Sequence, residues 1–206
     1  MRDDKQSNLG LLIDWITRRG PAVIFMRIAM QISRIVLGRP IYRYSEIVPG
    51  VYVGGQHRKH GLMSMRAEGI TAVVNLRRSD DTKRGVAPER YLHLPTTDNT
   101  APSADALHEG VQFIAGELAA GGKVYIHCGV GVGRAPTMAA AYLVSTGLTP
   151  LQAWKKIRDT RPFIWPLRGQ YRSIEEYARV YGSPEDQPLA VDERSGVDLP
   201  PERPPK

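Results

Sequence analysis

The sequence predicts an α/β domain with a mostly parallel central sheet flanked by helices. Three observations predict it. Between residues 44 and 181, short segments rich in β-branched and aromatic residues alternate with helical patterns, the order expected of strands joined by crossover helices. Those segments are bounded by turn-forming residues, which punctuate rather than extend them. With 206 residues and a 42% hydrophobic composition, the chain can bury one such core and still carry extensions. No internal repeat is present.

Taken in order, residues 1–43 read as an N-terminal helical extension. Gly20-Pro21 divides it into two stretches, about 8–19 and 22–38. In the second, "AVIFMRIAMQISRIVL", Arg27, Gln31 and Arg34 recur at spacings of four and three and share a face. Its 16 residues with two arginines are too short and too charged for a membrane span, which takes about 20 mostly apolar residues. The internal arginines and the lack of an A-x-A-like site also count against a secretory or twin-arginine signal beginning at Arg18-Arg19. Two readings stay open. One is an extension packed on the domain; the other is an interfacial amphipathic helix resting on anionic lipid through Arg18, Arg19, Arg27, Arg34 and Arg39.

Within 44–181 the expected strands are "VYVGG" (51–55), "TAVVNL" (71–76), "YLHL" (91–94) and "VYIH" (124–127). Helical patterns occupy about 103–120, 134–146, 150–160 and 168–181. Residues 182–206, with six prolines and no aromatic residue, read as a disordered tail.

The net charge of +7 favours anionic partners such as phosphate esters, nucleic acid or acidic membrane. It is spread unevenly: residues 1–45 hold eight Lys/Arg against three Asp, and residues 182–206 hold three against six Asp/Glu. A single cysteine excludes an internal disulfide and points to a reducing compartment. The expected location is cytoplasmic, with the inner face of a membrane as a place of peripheral attachment.

That cysteine sits in "KVYIHCGVGVGRAPTMAAAYL". A buried strand stops at Cys128, Gly129, Val130, Gly131, Val132 and Gly133 form a loop, and Arg134 opens an alanine-rich helix. Successive N–H groups of such a loop converge into an anion site, and the helix N-terminus adds about half a positive charge. Arg134 brings a planar guanidinium suited to bidentate phosphate contact. In that field a cysteine is expected as its thiolate, a nucleophile for phosphorus. A nucleotide P-loop is excluded, because no Lys-Ser/Thr follows the glycines.

"HCGVGVGR" resembles the His-Cys-x5-Arg loop of the protein-tyrosine-phosphatase superfamily, and its context is similar to the dual-specificity branch. The segments "VPGVYVGG", "ITAVVNL", "LPTTDNTAPSADALHEGVQFI" and "AAAYLVSTGLTPLQAWKKIRDTRPFI" follow in that family's order. The likeness covers about 44–181; "TTDNT…LHEGVQF" with the basic N-terminus is also similar to mitochondrial phosphatases of phosphatidylglycerophosphate. The resemblance implies a cysteine-phosphatase fold, a cysteinyl-phosphate intermediate and no metal or other cofactor. It implies a general acid on a loop about thirty residues upstream, which matches Asp98; the rival Asp105 opens a helical pattern, where an acid suits the macrodipole. It also implies that His127 bonds backbone near the cysteine and supports its ionisation. Metal binding has no independent signal, because none of the five histidines, His57 and His60 included, has an acidic or cysteine companion at ligand spacing.

Further expectations are weaker in pattern. Asn75 can brace the phosphate loop or simply end a strand. Gln170 can position water or face solvent, and Arg77, Arg78, Lys83 and Arg84 can line the pocket rim or form a solvated loop. Trp154 and Trp165 read as core or hinge packing. Three functions follow: a phosphatase of phosphoprotein, a phosphatase of a phospholipid headgroup such as phosphatidylglycerophosphate or a phosphoinositide, and a phosphate-binding pseudophosphatase. No nucleic-acid partner is expected. One residue departs from the family pattern: Ala135 stands where most relatives place a Ser or Thr whose hydroxyl bonds the cysteine sulfur.

Overall fold

In the computed structural model the described residues are 45–182 and Ile32, so the expectations for the N-terminal extension and the C-terminal tail lie outside them, apart from Ile32, which is helical and exposed. Five strands form one sheet: β1 (Ser45–Val48), β2 (Val51–Gly54), β3 (Ala72–Asn75), β4 (Arg90–His93) and β5 (Val124–His127). Their order is β1-β2-β5-β3-β4. Only β1 runs antiparallel, paired to β2 across a tight turn in which Gly50 adopts φ 82°. The remaining strands are parallel, as the alternation of strands and helices predicts.

The register aligns the strand ends. Gly54 pairs with His127, His127 with Asn75, and Asn75 with His93, so four parallel strands finish in one row. In open parallel sheets the ligand crevice lies just beyond such a row. Strands β3 and β5 are buried throughout, which is why they read as continuous apolar runs.

Among the described residues 45–182, five α-helices cover the sheet: α1 (Lys59–Ala67), α2 (Ala104–Ala119), α3 (Arg134–Ser145), α4 (Pro150–Thr160) and α5 (Arg168–Tyr181). Alternate residues of the central strands point to opposite faces. Val74 and Ile126 join the main core with Met138, Leu143, Ile157 and Ile174 from the helices. Val73 and Tyr125 face Leu62 and Met65 of α1. Helix α3 is central: it packs on α2, α4, α5, β2 and β5, and its alanines permit that close approach. Ser103 caps α2 by accepting Ala106 N–H at 3.2 Å, and Thr149 with Gln152 forms a capping box at α4. No helix among the described residues is long and apolar enough to cross a membrane.

One strand and one α-helix were not expected from the sequence. β1, "SEIV", has only two apolar residues, and half its positions are solvent-facing or partly so. α1, "KHGLMSMRA", begins at Arg58 without a side-chain cap and carries Gly61 inside, so neither start signal nor propensity marks it.

Candidate active site

The loop 128–133 begins where β5 ends and closes onto the N-terminus of α3. Its shape depends on Gly131, whose φ is 76°; a Cβ there would stand 2.4 Å from the carbonyl carbon of Gly54. The loop carbonyls are held from outside: Gln56 N–H donates to Gly129 O at 3.1 Å and Trp165 N–H to Val132 O at 2.6 Å. Arg161 Nε donates to Gly131 O at 2.9 Å. Because a trans peptide directs its N–H opposite to its C=O, anchoring these carbonyls outward turns the following N–H groups toward the cleft. Gly131 N–H donates to Cys128 Sγ at 3.3 Å, and the cysteine is 3% exposed at the floor.

The cleft has a volume of ≈ 380 Å³. Cys128, Gly129, Val130, Val132, Gly133 and Arg134 form its base, Asp98 and Asn99 one wall, and Trp165, Leu167 and Gln170 another. Arg134 is buried: Nη1 donates to Leu76 O at 3.1 Å and to Thr96 O at 2.8 Å. Its Nη2 lies 2.8 Å from Asp98 Oδ1. Asp98 itself is exposed, and the next residue, Asn99, turns the loop at φ 63°. Asp105 lies in the first turn of α2 and takes no part in the cleft lining. The fold thus brings Cys128, the 129–133 loop, Arg134 and Asp98 together and leaves Asp105 aside.

His127 stands behind the loop, fully buried. Its Nδ1 is 3.4 Å from Cys128 O and its Nε2 is 2.9 Å from Asp81 Oδ2. His57 Nε2 is 4.0 Å from the same oxygen and bonds Val86 O at 2.8 Å. A nearby acid was not expected for any histidine, and that reading is corrected here: tertiary folding supplies Asp81 to both His57 and His127, and the three side chains could in geometry share an ion. Burial pushes His57 down to about 4, with the charge of His127 adding to the effect.

Asn75 is also corrected. Its amide donates to Ser79 O and Tyr91 OH, each at 2.9 Å, and its Oδ1 accepts Arg77 N–H at 2.8 Å, so it shapes the 76–81 loop and makes no bond to the phosphate loop. Gln170 is buried and not a surface residue: Oε1 accepts Leu167 N–H at 3.0 Å and Nε2 donates to Thr100 O at 2.8 Å, tying α5 to the segment that carries Asp98. Trp165 lines the cleft, whereas Trp154 is core. None of Arg77, Arg78, Lys83 and Arg84 lines the cleft, and Arg84 instead pairs with Asp81 at 3.4 Å.

Sequence reading missed Arg161. It is fully buried, with Nη1 donating to Ser45 Oγ at 3.0 Å and the guanidinium 4.4 Å from the Phe163 ring centre. Burial pushes it down to about 10, opposed by Tyr125 and Cys128. It places a buried cation under the loop, and a lone arginine after a helix carries no local signal of that role.

The family model described as dual specificity phosphatase, catalytic domain, matches residues 51–180. The chain belongs to this family. The domain is therefore a phosphatase domain of the cysteine-dependent kind, and the Cys128-to-Arg134 loop is the family's Cys-x5-Arg loop. It is 34% identical over 145 residues to human dual specificity protein phosphatase 26, covering 63% of this chain and 64% of that protein. It is 28% identical over 153 residues to mouse dual specificity protein phosphatase 8, covering 73% of this chain but 23% of the relative. The chain thus spans under two thirds of the length of these curated relatives. The crystal structure of PTPMT1 superposes with a TM-score of 0.61 at 26% identity, covering 68% of this chain and 96% of that one. PTPMT1 has also been solved in complex with PI(5)P.

Proposed function

We propose that this chain hydrolyses phosphate monoesters through a cysteinyl-phosphate intermediate, with phosphorylated protein as substrate. The observation that carries the reading is the convergence of Cys128 Sγ, the loop N–H groups, Arg134 and Asp98 on one cleft. Phosphate dianion docks against the loop amides and Arg134. The Cys128 thiolate attacks phosphorus in line while the P–O bond to the leaving group breaks, and the loop donors follow the equatorial oxygens as charge redistributes. Asp98 donates its proton to the leaving oxygen, then takes a proton from the water that hydrolyses the S–P bond. Gln170 holds the segment beside Asp98 in place through Thr100 O. The test is phosphate release by pure protein from phosphotyrosine, phosphoserine and phosphothreonine peptides; no release from any of them contradicts the reading.

A second reading, a phosphatase of a phospholipid headgroup, is supported by the likeness to PTPMT1 and by apolar residues in the cleft lining, Val130, Val132, Trp165 and Leu167. Membrane attachment through residues 1–43, at the inner face from the cytoplasm, belongs to this second reading. Release from phosphatidylglycerophosphate or a phosphoinositide vesicle at a higher kcat/KM than from any phosphopeptide favours it. Loss of vesicle binding at high salt, or on deletion of residues 1–40, is its further mark.

A further inference from the structure

We propose that Arg161 is a positioning residue of the phosphate loop: its Nε–H locks the Gly131–Val132 peptide so that Val132 N–H faces the cleft as a donor to the anion. The inference rests on the loop being a phosphate site, as the proposed reaction requires. The loop carbonyls are not all held alike. Gln56 and Trp165 hold Gly129 O and Val132 O with backbone N–H groups. Gly131 O is held by a side chain, from Arg161 Nε at 2.9 Å across 30 positions. Gly131 O and Val132 N–H belong to one trans peptide, so an oxygen pinned beneath the loop sends the N–H the other way. Val132 lines the cleft, and its N–H has no acceptor among the described residues. That N–H is left for the ligand.

A lock is needed because of what stands at position 131. A Cβ there would lie 2.4 Å from Gly54 C and 2.8 Å from Arg161 Nη2, and φ is 76°, so the position takes glycine. Glycine also resists rotation of its own backbone least. Rotation about Gly131 ψ turns the peptide over and sets a carbonyl oxygen where the phosphate oxygens would lie. That inversion exchanges a donor for an acceptor at an anion site. Arg161 is fixed firmly enough to prevent it. Its guanidinium is fully buried, 4.4 Å from the Phe163 ring centre, with Nη1 donating to Ser45 Oγ at 3.0 Å. Its own N–H donates to Ile157 O at 2.8 Å as α4 ends. Nη2 is buried with no hydrogen-bond partner, a cost that an apolar side chain in the same space would not carry. The bonds from Nε and Nη1 must therefore account for a buried arginine, and of the two only Nε reaches the site.

The test reads oxyanion binding and needs no turnover. Dissociation constants for inorganic phosphate and vanadate are measured on the full chain as wild type, Arg161→Lys, Arg161→Met and Ser45→Ala, with urea unfolding alongside. Lysine keeps the charge without the planar fork, and methionine keeps an apolar stem against Phe163 with no donor. Arg161→Met should weaken binding of both anions about tenfold or more, the scale of one hydrogen bond to a charged group. Arg161→Lys should fall between it and wild type. Ser45→Ala removes the other partner of the guanidinium, and should lower stability while leaving both constants near those of wild type. Unchanged affinity in folded Arg161 variants overturns the inference. So does a Ser45→Ala that weakens anion binding as much as Arg161→Met, because Arg161 would then serve the fold in general. If neither Arg161 variant folds, NMR of wild type decides. A coupling from Arg161 Nε–H to the Gly131 carbonyl, with a Val132 amide resonance that moves on phosphate binding, supports the lock; the lack of either overturns it. Wild type that binds phosphate or vanadate but releases no phosphate from any ester would reject the proposed reaction and leave this inference standing.

Discussion

Asp98 Oδ1 lies 2.8 Å from Arg134 Nη2, so the proton donor of the proposed reaction is paired with the residue that would hold the phosphate. Arg134 Nη1 is already committed to Leu76 O and Thr96 O, which leaves Nη2 as the edge offered to the cleft. Substrate must therefore displace Asp98 from Arg134, and in doing so it releases the carboxyl to meet the leaving oxygen. Asp98→Asn should bind inorganic phosphate or vanadate severalfold more tightly, because a competing anion is gone. The same variant should lose about 10²–10⁴ in turnover of alkyl phosphates, and much less with an activated aryl phosphate whose leaving group needs no proton. Inhibition constants and a leaving-group series check both halves.

Ala135 is fully buried beside the loop, and Thr137, two residues on, donates its hydroxyl to Gly133 O at 3.0 Å rather than to sulfur. The sulfur therefore lacks a hydroxyl donor from either residue, while Gly131 N–H serves it at 3.3 Å. A hydrogen bond to a charged acceptor is worth about 1.5–3 kcal/mol, or roughly ten- to a hundredfold in rate. Hydrolysis of the cysteinyl phosphate is expected to limit turnover, giving a burst of product equal to enzyme. Ala135→Ser should shrink that burst and raise the steady state in rapid-mixing kinetics.

Much of this was legible in the sequence, for reasons that differ by residue. The strands around 72–75 and 124–127 and the helices after 103, 134, 149 and 167 carry strong local signals: continuous β-branched runs, a Ser103 cap, a Thr149 capping box. Cys128, Arg134 and the glycines lie within one short segment, so local pattern places them together. Asp81, Arg161 and Gln170 do not. Asp81 reaches His127 across 46 positions, and Arg161 meets Gly131 across 30. A local pattern reads each as an exposed polar residue, and only packing turns the side chains inward. Asn75 was placed correctly at the strand end, but its partner is the 76–81 loop, which no periodicity marks.

Gln170 bridges Leu167 N and Thr100 O from a buried position. Gln170→Leu keeps most of the volume and removes both bonds, so it should lower stability to urea by about 1–3 kcal/mol. Its kinetic mark should be selective: turnover of substrates with poor leaving groups falls more than that of activated aryl phosphates, since the segment bearing Asp98 is less well held. Equal loss on both kinds of substrate would assign Gln170 to general support of the cleft.

His57 gives the fold a pH dependence. Its pKa is lowered from 6.5 to about 4 by burial and by the charge of His127, so between those values the unfolded chain binds a proton that the folded chain does not. Stability is full above 6.5 and falls as pH drops toward 4, by about 3 kcal/mol at 1.36 kcal/mol per unit. Asp81, whose carboxyl is held below its usual range, adds a loss only at still lower pH. Urea unfolding at pH 7 and pH 4.5 measures the drop, and His57→Gln, which keeps a donor for Val86 O, should flatten it.

The most direct measurement is turnover of an aryl phosphate by Cys128→Ser, together with vanadate or phosphate binding by the same protein. The hydroxyl is a far weaker nucleophile than the thiolate but leaves the loop amides and Arg134 in place. Turnover at background with binding retained is the result expected of a cysteinyl-phosphate mechanism; turnover near that of wild type would contradict it.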